Sequence, residues 1–140
     1  LATGIAVAAE GWGAEGALRD NELTIEEMLT YAIQDEYLAR AEYELIMEEY
    51  GTMRPFTNII RSEETHINLL IPVFEEHGYD VPADNAAEHV VMPADMKTAL
   101  ETGVQAELDN IPSDVHEVFE RLKAASENHL RAFRNNLRKY

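Results

Sequence analysis

The chain has 140 residues, a formal charge of −16, 46% hydrophobic residues and no cysteine. That length supports one domain with a core of its own. The missing cysteine excludes disulfides, iron–sulfur clusters, thiolate zinc sites and cysteine nucleophiles, and the acidity opposes nucleic acid and anionic membranes as partners.

Residues 1–22 are rich in Gly and Ala, lack helical periodicity and read as a leader or N-terminal arm. Leu1 to Ala9 is small or apolar and resembles the end of a signal peptide without its basic leader. Export is the favoured expectation, with a cytoplasmic location left open. The rival reading is an apolar arm that joins subunits of a homo-oligomer. Residues 23–140 read as the folded domain. No run reaches the roughly 20 apolar residues of a membrane span, and neither a Gly-rich phosphate loop nor a nucleophile elbow occurs.

The first helix is expected from Thr24 to Tyr50. Thr24 with Glu27 forms a capping-box pattern, and Gly51 supplies the stop. Its stripe at spacings of four and three is Ile25, Leu29, Ala32, Glu36, Ala39, Tyr43, Ile46 and Tyr50. Glu36 is the one charge in it. The second helix is expected from Pro55 to His77, with Phe56, Ile59, Glu63, His66, Leu70, Val73 and His77 as its stripe. Pro72 should kink it or end its regular ladder.

Residues 78–91 look irregular. Extended, they reach up to about 45 Å, more than the roughly 35 Å of a helix over 55–77. They can therefore carry the chain back and set a third helix parallel to the second. That third helix is expected from Ala94 to Asp109, with the stripe Met96, Leu100, Gly103, Glu107 and Ile111. Pro112 breaks the pattern. A fourth helix follows from Asp114 to Arg138, with Val115, Phe119, Leu122, Ser126, His129, Phe133 and Leu137. The expected fold class is all-α: a four-helix bundle with one long crossover between helices 2 and 3, the connectivity of ferritin-like proteins.

Glu36, Glu63, His66, Glu107 and His129 interrupt otherwise apolar stripes. A lone buried carboxylate is strongly disfavoured, and a shared cation would satisfy all five. Carboxylate oxygen and imidazole nitrogen suit iron, manganese or zinc. Glu63 and His66, three residues apart, lie on one helix face. Tyr43 reads as packing, and His77, His89 and His116 as surface residues. With the last turn near 110–113, a simple hairpin would bring Asp95 or Ala99 level with His129, rather than Glu107.

Four stretches resemble an uncharacterised ferritin-like family, a domain of unknown function. They are Glu36-Tyr-Leu-Ala-Arg40, Ser62-Glu63-Glu-Thr-His66, Gly103-Val-Gln-Ala-Glu107-Leu-Asp109 and Ser126-Glu-Asn-His129-Leu-Arg-Ala-Phe133. The resemblance implies a ferritin-like bundle with Glu36, Glu63, His66, Glu107 and His129 as candidate ligands. It is distantly similar to rubrerythrin-type di-iron bundles, from which it departs at Ser126, where a second bridging carboxylate is expected.

The resulting expectation is a metal protein holding one or two ions, iron foremost. Dioxygen or peroxide would be its small partners, and ferroxidase, peroxidase-like or oxidase activity its class. The alternative is a structural or surface self-assembling protein with a vestigial or non-redox metal site.

Overall fold

The computed structural model describes residues 11–19, 23–109 and 128–138. These residues are all-α, with no strand among them. Their helices are α1 (Gly13–Arg19), α2 (Ile25–Tyr50), α3 (Phe56–His77) and α4 (Met96–Asp109), followed by a helical stretch at 128–137. None of the described helices is long and apolar enough to cross a membrane. Of the expected fourth helix, residues 114–127 lie outside the described residues, and so does His116.

α2 starts where its cap dictates. The Glu27 amide donates to Thr24 Oγ1 at 3.2 Å, and the Thr24 amide donates to Glu27 Oε2 at 2.8 Å. Two otherwise unsatisfied backbone donors are thus paired reciprocally. α3 ends at Gly78, whose φ of 72° suits a residue without Cβ. Pro72 does not end α3. It lies on the exposed side, and the helix continues to His77.

α2 and α3 form an antiparallel pair with two apolar clusters, one at each end. Leu29, Ile33, Tyr37, Ile67, Leu70 and Phe74 are buried at one end. Tyr43, Ile46, Phe56 and Ile59 are buried at the other, where Ala99, Leu100 and Phe133 join them. Tyr43, Phe56 and Phe133 stack in a triangle with ring centroids 5.6–5.7 Å apart. Such tilted pairs favour the edge-to-face electrostatics of aromatic rings, so Tyr43 packs as its place in the stripe implied.

The segment after α3 runs back along α2. Tyr37 donates its hydroxyl proton to the Pro82 carbonyl, Arg40 pairs with Asp84, and Tyr50 donates to the Pro93 carbonyl at 2.8 Å. These ties climb α2 from its middle to its C-terminal end. α4 consequently begins beside the start of α3 and runs parallel to it.

The 128–137 helix runs the other way, with His129 near Glu63 and Phe133 and Leu137 in the cluster around Phe56. Gly103 makes room for it: a Cβ there would sit 2.5 Å from the Phe133 ring. This contact corrects the expected register. Phe133 seats opposite Gly103, which puts His129 one turn further along α4, away from Asp95 and Ala99. Packing of the Phe133 ring against Gly103 fixes this alignment.

Within residues 1–22, expected as a leader or arm, residues 13–19 form α1. Its Gly13 amide donates to Gln34 Oε1 at 3.1 Å, and Gly16 packs so closely that a Cβ would lie 2.5 Å from the Tyr31 ring. α1 thus packs on α2 of its own chain. The Trp12 ring lies tilted against His89 at 4.6 Å between centroids, and His89 is half-buried rather than a surface residue. His77 is exposed, as expected.

Candidate metal centre

Between the two apolar clusters, α2 and α3 turn charged groups toward each other. Glu36, Glu63 and His66 are all buried, with 2%, 3% and 6% of their surface exposed. His129 joins them from the 128–137 helix and is also buried. The spacing of three places Glu63 and His66 on the same face of α3, and the antiparallel pairing brings Glu36 opposite.

His66 Nδ1 lies 2.9 Å from Glu36 Oε2 and 2.9 Å from Glu63 Oε2. His129 Nδ1 lies 3.3 Å from the other oxygen of Glu63, Oε1. Glu63 therefore faces one imidazole with each carboxylate oxygen. The two rings are nearly parallel, with centroids 6.0 Å apart. On its far side, His66 Nε2 lies 3.3 Å from Ser62 Oγ.

Burial and hydrogen bonding divide the protons. Burial drives the Glu36 carboxyl well above the usual carboxylate range, which favours its protonated form. Burial also acts to raise Glu63, but hydrogen bonds from His129, His66 and Glu36 outweigh it and bring Glu63 down to about 2. Burial acts to lower His66, and the two carboxyl groups facing it outweigh that and raise it to about 10. Glu63 and His66 thus form a buried carboxylate–imidazolium pair, and burial disfavours a second negative charge on Glu36. Charge pairing of this kind is what makes burial of the group tolerable.

The same atoms suit a cation. One ligand atom from each of Glu36, Glu63 and His66 lies within 4.8 Å of the others. Two carboxylates and an imidazole match iron, manganese or zinc in ligand type. A divalent ion among them would compete with protons for His66 and Glu36, so binding would be proton-linked.

Of the five expected ligands, Glu36, Glu63 and His66 lie together, and His129 approaches them at Glu63. The fifth, Glu107, lies on α4, but its side chain is outside the described residues.

Glu42 is a buried acid that the apolar stripes do not mark. It is 6% exposed, and its Oε1 has no hydrogen-bond partner among the described residues. Burial alone raises its carboxyl to about 7. It sits about 120° round α2 from Glu36 at 100° per residue, off the apolar stripe. No periodicity points to it, because its burial depends on what packs over that side.

Comparison with protein-family models, with curated proteins and with solved structures finds no match to this chain.

Proposed function

We propose that this chain is a metal-binding four-helix bundle of the ferritin-like kind. Glu36, Glu63, His66 and His129 would hold one or two divalent ions, iron foremost, with manganese and zinc as alternatives. The observation that carries this reading is the buried set of two carboxylates and two imidazoles, in which both Nδ1 atoms face Glu63. The crossover along α2 and the antiparallel last helix support the connectivity.

In this reading Glu36 and His66 serve one ion, His129 serves a second, and Glu63 reaches both. Iron at such a site supplies redox chemistry toward dioxygen or peroxide. The protein's own part is to exclude water through the two apolar clusters, fix the ligand atoms, and release the His66 proton as metal enters. α1 lies against α2 of the same chain, a packing that supports a folded bundle in this reading.

The test is metal content per chain by elemental analysis after aerobic iron or manganese loading, beside a Glu63→Ala/His66→Ala variant. About one to two ions in the wild type, lost in the variant, is the expected result. No bound metal in a folded wild-type protein would sink the proposal.

A further inference from the structure

His66 has two ring nitrogens with different surroundings. Nδ1 is 2.9 Å from oxygens of Glu36 and Glu63, so it is the atom that faces the centre. Nε2 points the other way and lies 3.3 Å from Ser62 Oγ. Ser62 precedes His66 by four residues on α3, so one helical turn brings its hydroxyl alongside the ring. Ser62 is itself half-buried, where water competes less for the bond.

A neutral imidazole that gives one nitrogen to a metal carries its proton on the other. In a buried site that N–H needs an acceptor, and the acceptor sets both tautomer and ring orientation. A serine hydroxyl accepts as well as donates. The same Nε2–H also exists in the imidazolium form, so this contact persists whether Nδ1 carries a proton or a metal.

We infer that Ser62 is a positioning residue of the metal centre: its hydroxyl accepts the Nε2–H of His66 and holds Nδ1 toward Glu36 and Glu63. This rests on the metal-centre reading above. Ser62 touches no metal in this scheme. It acts through His66, by removing the alternative in which the ring flips and offers Nε2–H to the carboxylates.

The experiment is titration of the whole chain with zinc alone and with manganese alone, against a chromogenic chelator, for wild type, Ser62→Ala and Ser62→Thr. Loss of such an outer hydrogen bond weakens metal affinity by about 10- to 100-fold. That loss is expected for Ser62→Ala, while Ser62→Thr, which keeps the hydroxyl, should stay within about threefold of wild type. Nitrogen NMR of the zinc-loaded protein supplies a readout that a purely structural role would not move. His66 should be a single Nε2–H tautomer with a slowly exchanging proton in wild type, and that proton should exchange fast in Ser62→Ala. If wild type binds zinc and Ser62→Ala matches it in affinity and tautomer, the Ser62 role is overturned and the metal centre stands. If folded wild type binds neither ion, the metal-centre reading falls and takes this inference with it.

Discussion

Two buried carboxylates on α2 stand in different company. At Glu36 the chain surrounds the acid with Glu63 and His66, and His129 completes the set on Glu63. Six residues later Glu42 is almost as deeply buried and has an oxygen with no hydrogen-bond partner among the described residues. Glu63 ionises more readily than a free carboxylate, and Glu42 less readily, although burial acts to raise both. Burial by itself therefore says little about the charge of a core acid. The donors facing it count as well: they outweigh burial at Glu63, while at Glu36 burial prevails over the His66 hydrogen bond.

The strongest way to break the contrast is to strip the Glu36 cluster of its central acceptor. Glu63→Ala leaves His66 and His129 without the carboxylate that faces them both. Removing one partner of a buried ion pair costs about 3–5 kcal/mol, and urea unfolding near neutral pH should show a loss of that size. A change below about 1 kcal/mol would mean the centre is wetter than its geometry implies. The pH limb of this prediction has a definite sign. Glu63 has a folded value of about 2 against an ordinary 4.5, so its stabilisation is present above 4.5 and lost as pH falls toward 2. His66 has the reverse sense: its contribution is present below 6.5 and lost as pH rises through about 10.

Glu42 should behave in the opposite sense to Glu63. Its folded value of about 7 exceeds the ordinary 4.5, so its contribution is intact below 4.5 and lost as pH rises through 7. The separation of those values corresponds to up to about 3 kcal/mol. Glu42→Gln, which cannot ionise, should match wild type at pH 4.5 and exceed it in stability above pH 7. Parallel stability curves for the two proteins from pH 4.5 to 8 would show that Glu42 is paired or hydrated in solution.

Smaller effects probe how the centre is framed. Gly103→Ala should destabilise by about 1–3 kcal/mol through overpacking, because the new Cβ meets the Phe133 ring. The shift should appear in thermal unfolding, and an unchanged midpoint would contradict the Gly103–Phe133 register. Thr24→Ala should remove about 1 kcal/mol through loss of the cap, with little effect on metal content. A large fall in bound metal there would show that fraying of α2 reaches Glu36.

Much of the candidate site is legible in the amino-acid sequence, for one reason. Glu36, Glu63, His66 and His129 occupy places in helical stripes whose other members are mainly apolar, and burying an acid there demands a partner. The same logic is blind to Glu42, which lies off the stripe. It is also blind to α1, a seven-residue helix with two glycines that owes its place to packing on Tyr31, Gln34 and Asp35.

The sequence by itself determined the helical periods, the Thr24 cap, the stop at Gly78 and the polar residues that interrupt apolar faces. Those are local properties, set by spacing and by backbone chemistry within a turn or two. Only the tertiary structure decided the Gly103–Phe133 register, the return of the crossover along Tyr37, Arg40 and Tyr50, and which nitrogen of His66 faces the carboxylates. Each depends on groups distant in the chain or on the side from which neighbours approach, and periodicity along one helix carries no information about either.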